Sequence, residues 1–409
     1  MCILVAKMSA RAASSVVKGL GLLGPALRDA GVTGRVLVVG TKGSAQRAPY
    51  NRTVMALQKS KFQCAKYLCQ TSEARVEHIN EAVLMAEKTG CGAVVAVGGG
   101  SMMDVGKAVG LVLANGGNIR DYALKKDTVD IAPIHIAAVP TALGSGAELS
   151  DSLVAFDTEE ERALVFQNVH LVPSTVVVDV EMLSGLPALT QSNMCVSNLS
   201  RTLDYLLDVG SDFDIDRGDD SSDAIQALAG LELSITDLTN QASAFRTSKG
   251  QPAESVPIEE FLNSKYMSSF QGGRLTSTHG IPVSARLSQT VCGMFLLPYS
   301  TVNASLFLPF LQARIDFARA KPSRENDGFI SRVEDCAKIV CRDENATIQS
   351  LMFHLSDIIS SLGVQRIEDL QITKEDADVA VSLIFAEDDL EIAHRLGRSA
   401  LLDLLQGRT

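Results

Sequence analysis

The sequence predicts an α/β N-terminal domain built on a parallel sheet, followed by an all-α C-terminal domain. Three observations lead there. Short apolar runs alternate with helix-period stretches over the first 185 or so residues, the pattern of successive βαβ units. After Pro187 the alternation stops and long helical stretches take over. Between these, Ala93 to Val97 run straight into Gly98, Gly99 and Gly100, as a buried parallel strand does when it turns into a helix.

Taken in order, residues 15–30 place apolar positions at helical spacing and end at Gly31. A first strand at Cys2 to Ala6, ahead of that helix, is one reading of the start of the chain. Arg35 to Val39 is a buried strand stopped by Gly40, residues 51–60 read as helix, and Phe62 to Tyr67 as a short strand. Glu73 to Thr89 carries Val76, Ile79, Ala82, Val83 and Ala86 on one side of a helix. The strand Ala93 to Val97 leads through the glycines into a helix ending near Ala114. Ile131 to Val139 and Val176 to Asp179 are further strands. Helices are then expected over 189–208, 222–241, 257–271, 286–319, 328–340, 345–362 and 373–407, which sets the domains at 1–185 and 186–409.

At 409 residues the chain exceeds what one core serves, and its 21% charged and 46% hydrophobic content is that of a soluble globular protein. A net charge of −11 with no basic patch argues against nucleic acid as a partner. No stretch holds the ~18 unbroken apolar residues of a membrane helix, so no membrane partner is expected. The eight cysteines form no CxxC pair and suggest neither a disulfide framework nor a zinc site, which points to reduced thiols inside a cell. The first 28 residues hold Lys7, Arg11, Lys18 and Arg28 and no acid. That composition suits a mitochondrial transit peptide and equally the start of the fold, so mitochondrial and cytoplasmic locations both stand. Seven aspartates between Asp208 and Asp223 lack EF-hand spacing and read as a solvated loop.

The glycine triplet is expected to give the backbone conformations closed to other residues, letting a ligand approach the main chain. The helix that follows offers unpaired N–H groups and the positive end of its dipole to a phosphate. The same residues would also make a tight turn with no ligand. Pro140-Thr-Ala-Leu-Gly-Ser-Gly-Ala-Glu148 adds small and hydroxyl residues at the end of the next strand. Open parallel sheets bind their ligands at that carboxyl edge.

Together these segments resemble the iron-containing (group III) alcohol dehydrogenases, and more distantly the glycerol dehydrogenases and dehydroquinate synthases. Gly98 to Lys107 follows the family's GGGSxxDxxK, and its PTTAGTGSE stands as PTALGSGAE at 140–148. VxxDxxLxxxLP appears as VVVDVEMLSGLP at 176–187, and HGxxNAxLLP survives as QTVCGMFLLP at 289–298. The resemblance runs from about residue 15 to the C-terminus. It implies a bound NAD or NADP, with the pyrophosphate at Gly98, Gly99, Gly100 and Ser101. Asp104 would orient the turn or the ribose, and Thr141, Ser145 and Ser150 would line the adenine and nicotinamide-ribose side. Where the family usually carries an aspartate for the adenosine 2′-hydroxyl, Thr41 stands beside Lys42, which weakens the preference for NAD over NADP. Gln70 matches the family's asparagine before the helix at 73. A homodimer is implied by analogy alone.

The catalytic half departs from the family. Its Fe²⁺ or Zn²⁺ acts as a Lewis acid on the alcohol oxygen and is held by an Asp and a His one helical turn apart plus two later His. Aligned by the flanking motifs, those four positions are Ser197, Arg201, Leu275 and Gln289, so no metal is expected. His279 matches a non-ligand family histidine that faces the substrate, where an imidazole could relay a proton; a leftover histidine with no role is the alternative. Arg201 could polarise a carbonyl or hold a carboxylate, or simply pair with Asp204 one turn on.

Three functions remain open. One is a catalytically inactive or repurposed homologue that binds dinucleotide inside a larger protein assembly. Another is a metal-independent NAD(P)-dependent oxidoreductase of small aldehydes, ketones or keto acids, using His279 and Arg201. The third is a metal-dependent alcohol dehydrogenase with unforeseen ligands. The intact phosphate turn beside four replaced ligand positions favours the first.

Overall fold

The computed structural model describes residues 14–183, 185–208, 222–248, 269, 273, 276, 281–295, 297–386 and 396–407. The chain divides into two compact units, one of Met1–Gly185 with Thr276–Gly280, the other of Leu186–Leu275 with Ile281–Thr409.

The first unit is the α/β one. Its strands are β1 (Ser15–Lys18), β2 (Arg35–Thr41), β3 (Gln63–Cys69), β4 (Cys91–Gly98), β5 (His135–Pro140), β6 (Ser152–Asp157), β7 (Arg162–Gln167) and β8 (Thr175–Val178). Its helices are α1 (Leu23–Asp29), α2 (Lys42–Gln46), α3 (Pro49–Lys59), α4 (Val76–Thr89), α5 (Gly100–Asn115) and α6 (Ile119–Ala123). Six strands form one sheet in the order β1-β8-β5-β4-β2-β3, and every pairing in it is parallel. β6 and β7 make a separate antiparallel pair.

Alternation along the strands feeds two buried faces. Val36, Val38, Val95, Val97, Val139 and Val177 pack with Leu23, Leu27, Tyr50, Val54 and Leu57 of α1 and α3. Leu37, Val39, Val94 and Ala96 face the other way and are fully buried as well. On that side α5 lies hard against the sheet. A Cβ on Gly106 would come 2.7 Å from Ala96 Cβ, and one on Gly110 2.7 Å from Ile136 Cγ1. These glycines, one turn apart, set how closely the helix approaches.

The strand expected from Ile131 begins only at His135, because the preceding residues are tied elsewhere: Asn115 Oδ1 accepts from Ile131 N at 2.8 Å. Residues 15–30 are not one helix. Ser15–Lys18 pairs with β8 as an edge strand, and the helix proper is α1. The acid-free start of the chain is therefore part of the sheet from Ser15 onward, while Cys2 to Ala6 lies outside the described residues. The hairpin β6–β7 has no counterpart in the sequence expectation.

The second unit is helical, with no strand among its described residues. Its helices are α7 (Ala188–Asp208), α8 (Ser222–Ser248), α9 (Val283–Phe295), α10 (Tyr299–Ala320), α11 (Arg324–Cys341), α12 (Ile348–Ser361), α13 (Lys374–Ala386) and α14 (Gly397–Leu405). The single helix expected over 286–319 is two: Pro298 stands before the first turn of α10, where a proline fits and the preceding helix cannot continue. The stretch 373–407 likewise contains two described helices, and the helix expected at 257–271 falls largely outside the described residues. α10 joins two cores, placing Phe307, Leu311 and Ile315 among α7, α8, α11 and α12, and Val302, Leu306 and Phe310 among α9, α13 and α14. Arg332 reaches the C-terminal end of α7, its Nε and Nη2 donating to Leu207 O at 3.1 and 2.9 Å.

Candidate functional site

The carboxyl ends of β2, β4 and β5 stand side by side, and the residues that follow them build the candidate site. β4 ends at Gly98; Gly99 is extended (φ −85°, ψ −167°) and α5 begins at Gly100. None of these three glycines has a positive φ, which corrects the expectation that they supply unusual backbone conformations. They supply space. A Cβ on Gly98 would sit 2.5 Å from Met102 Cγ, and one on Gly100 2.5 Å from Ser145 Oγ. A Cβ on Gly99 would meet Ala142 Cβ at 3.4 Å, an ordinary contact. Positive φ belongs to the second turn, at Gly144 (113°) and Gly146 (64°).

The two turns are fastened to each other. Gly98 pairs with Pro140 across the β4–β5 register, and Thr141 N donates to Gly98 O at 2.8 Å. Ser145 Oγ lies against Gly100 and accepts from Ala147 N at 3.2 Å. Thr141 and Ser150 are buried at 1% and 3% exposure, whereas Ser101 and Ser145 are half-buried. At the far end of the second turn, the fully buried Lys107 donates from Nζ to Ser150 Oγ at 3.0 Å and to Ser152 O at 2.7 Å. Asp104, one turn earlier on α5, has its Oδ1 3.9 Å from the same ammonium.

β2 delivers Thr41 to this edge. Its Oγ1 accepts from Ser44 N at 3.0 Å, while Ser44 Oγ accepts from Thr41 N at 3.0 Å, a reciprocal cap on α2. Lys42 and Arg47 beside it are exposed, and residues 40–48 contain no carboxylate. Tyr50 packs on Gly40, which has no Cβ to obstruct the ring, and its hydroxyl donates to Val38 O at 3.0 Å. Burial pushes that phenol's pKa well above its ordinary value.

In the helical unit, Ser197 and Arg201 lie one turn apart on α7 and both are buried. Ser197 Oγ donates to Ser300 O at 3.4 Å. Arg201 Nη2 donates to Tyr299 OH at 3.5 Å. Burial raises the Tyr299 pKa, and the neighbouring guanidinium opposes that rise. Asp204 accepts from Ser284 Oγ on α9. Gln289 is half-buried on α9, and its Oε1 is buried with no hydrogen-bond partner among the described residues. Leu275 and His279 lie outside the described residues. Among the described residues no group of three His, Cys, Asp or Glu is placed to hold a metal ion.

Sequence reasoning gave no role to Lys107, Ser152 or Tyr299. For Lys107 a signal was present: it is the lone basic residue in the otherwise small and apolar run from Val105 to Ala114. Tyr299 carries no such signal, since its partner is 98 positions away.

The model of the iron-containing alcohol dehydrogenase family matches residues 16–180. The NAD-dependent methanol dehydrogenase of Bacillus methanolicus is 33% identical over 110 residues, covering 27% of this chain and 29% of that protein. The 4-hydroxybutyrate dehydrogenase of Cupriavidus necator is 31% identical over 159 residues, 38% of this chain and 40% of that protein. The chain thus matches well under half the length of these relatives. The crystal structure of the NADH-dependent butanol dehydrogenase A of Thermotoga maritima superposes with a TM-score of 0.77 at 18% identity, covering 96% of each chain, a likeness of fold.

Proposed function

We propose that this chain, whose residues 16–180 match the model of the iron-containing alcohol dehydrogenase family, binds NAD(P) but does not hold the family's catalytic metal. It is on this reading a catalytically inactive or repurposed homologue. One observation carries the proposal: a buried arginine stands on α7 where the resemblance places a metal-binding histidine. A guanidinium offers five N–H donors, no lone pair and a permanent positive charge, so it repels a divalent cation rather than ligating it. Ser197 and Gln289 bring a neutral hydroxyl and a neutral amide, and Leu275 brings no donor atom. This set does not fit Fe²⁺ or Zn²⁺, which prefer imidazole and carboxylate ligands.

The dinucleotide is a better match. Gly100 and Ser101 head a sixteen-residue helix, where backbone N–H groups have no intrahelical acceptor. Gly99 leaves the approach open, and the half-buried hydroxyls of Ser101 and Ser145 flank it. These residues would seat the pyrophosphate, with Asp104, Thr141 and Ser150 supporting the two turns and Thr41 facing the adenosine ribose. A bound nicotinamide supplies hydride chemistry. Without the metal's Lewis acidity, alcohol oxidation of the family type has no electrophile to stabilise the alkoxide.

The Arg201–Tyr299 pair leaves room for a second reading, a metal-independent oxidoreductase of small carbonyl compounds that uses Arg201 and His279. Fluorescence titration with NADH and NADPH, followed by turnover assays with small aldehydes, ketones and keto acids, separates the two. Binding without turnover is the expected result. No binding at millimolar cofactor overturns the dinucleotide reading, and metal-free turnover replaces the inactive reading with the second one.

A further inference from the structure

The face of α7 that meets α10 is polar, where a packed helix ordinarily buries an apolar stripe. Asn193, Ser197 and Arg201 follow one another at intervals of one turn and are 2%, 1% and 6% exposed. Each reaches the first turn of α10. Asn193 Nδ2 donates to Thr301 Oγ1 at 3.2 Å, Ser197 Oγ to Ser300 O at 3.4 Å, and Arg201 Nη2 to Tyr299 OH at 3.5 Å. All six residues belong to the helical unit. Apolar side chains would bury the same surface without desolvating a guanidinium, so packing alone does not call for this row.

The head of α10 is open. Pro298 stands at its N-cap and brings no capping side chain. Thr301 N and Val302 N both donate to Pro298 O, at 3.0 and 3.1 Å, while Tyr299 N and Ser300 N find no acceptor among the described residues. A helix of 22 residues thus presents two N–H groups and the positive end of its dipole, and Arg201 brings a full charge to the same turn. Asn193 supplies the opposite polarity. Its amide is fixed on Thr301, and its buried Oδ1 has no hydrogen-bond partner among the described residues. Tyr299, Ser300 and Thr301 are half-buried and Pro298 is exposed, so the turn meets solvent.

We propose that this turn binds a small hydroxycarboxylate, its carboxylate held by Arg201, Tyr299 and the open N–H groups and its hydroxyl donating to Asn193 Oδ1. A cation would meet the guanidinium's like charge, and a neutral alcohol makes no use of that charge. A simple carboxylate leaves the Asn193 acceptor unmatched. Thr301 follows Tyr299 by two residues, about 3 Å along the helix axis, so the ligand's hydroxyl lies on the first or second carbon from its carboxylate. The inference rests on the reading that no metal occupies this place. Ser197 and Arg201, where the resemblance puts two metal ligands, serve an anion instead.

The test is calorimetric titration of the full-length, metal-free protein with lactate and 3-hydroxybutyrate, each beside its hydroxyl-free partner, propionate or butyrate. The wild type should bind at least one hydroxy acid about tenfold tighter than its partner, as one matched hydrogen bond allows. Asn193→Ala should remove that difference, and Arg201→Met should weaken both acids about tenfold or more. Leu199 is fully buried on α7 in the core shared with α8, α11 and α12. Leu199→Ala should lower the Tm and leave the affinities unchanged. Equal affinity for each acid and its partner, inorganic phosphate binding as tightly as the hydroxy acids, or an Arg201→Met loss no larger than that of Leu199→Ala overturns the inference. Where Arg201→Met does not fold, unchanged affinity in both Asn193→Ala and Tyr299→Phe overturns it. One retained iron or zinc per chain overturns the metal-free reading beneath it, whereas metal-free protein that ignores both hydroxy acids at millimolar concentration overturns this inference alone.

Discussion

Alanine at Gly99 and at Gly100 should have different consequences for folding, although the two positions are adjacent. At Gly100 the new Cβ would lie 2.5 Å from Ser145 Oγ and 2.6 Å from Ser145 Cβ, so the second turn must move. Overpacking of this kind costs about 1–3 kcal/mol, offset by at most ~1 kcal/mol from exchanging glycine for alanine in a helix. A net loss of about 1–2 kcal/mol lowers the Tm by roughly 2–8 °C in a domain of this size. At Gly99 the Cβ would rest 3.4 Å from Ala142 Cβ, and the backbone is already extended. Alanine in place of glycine before the first helical turn costs under ~1 kcal/mol. The fold should therefore tolerate Gly99→Ala, yet the methyl group occupies the approach a pyrophosphate needs, and NADPH affinity should fall about tenfold or more as close contact with backbone donors is lost. Thermal unfolding and fluorescence titration of the two variants measure both effects. A Gly99→Ala protein that binds as tightly as wild type would refute the placement of phosphate at this turn.

Thr41→Asp retains a capping residue for α2 while placing a carboxylate where the adenosine ribose is expected, so the NADPH-to-NADH affinity ratio should fall about tenfold or more. An unchanged ratio in parallel titrations would show that the 2′ substituent lies elsewhere. Acid should destabilise the α/β unit through His78 and His135, whose pKa values burial depresses below the ordinary histidine value. The unfolded chain then takes up protons first, so stability is full above about pH 6.5 and declines as pH falls toward the folded-state values. Tm measured from pH 8 down to pH 5 should show this slope, and it should shrink in His135→Gln; a flat profile contradicts the assignment.

The elements that carry the candidate site were the legible ones. β2 and β4 are continuous apolar runs closed by glycine, and α5 starts where the run ends, so local sequence specifies all three. β1 was not legible because its four residues are a half-exposed edge whose partner, β8, lies about 160 positions away. The hairpin β6–β7 escaped for a related reason. β6 is buried at every position and shows no alternation to mark it as a strand. The glycine turn was placed correctly and explained wrongly: its glycines answer to Met102 and Ser145, neighbours set by packing, while the unusual dihedrals sit at Gly144 and Gly146. Ser197, Arg201 and Gln289 were singled out only through the resemblance to the family, and the phenol of Tyr299 beside Arg201 emerges only once α7 and α10 are packed.

We propose that the helical unit takes no divalent metal. Elemental analysis tests it directly, on protein equilibrated with excess Fe²⁺ without oxygen, or with Zn²⁺, and then desalted. Far less than one metal per chain is the expected result, because Arg201, Ser197 and Gln289 offer no imidazole or carboxylate. One tightly retained iron or zinc per chain would contradict it.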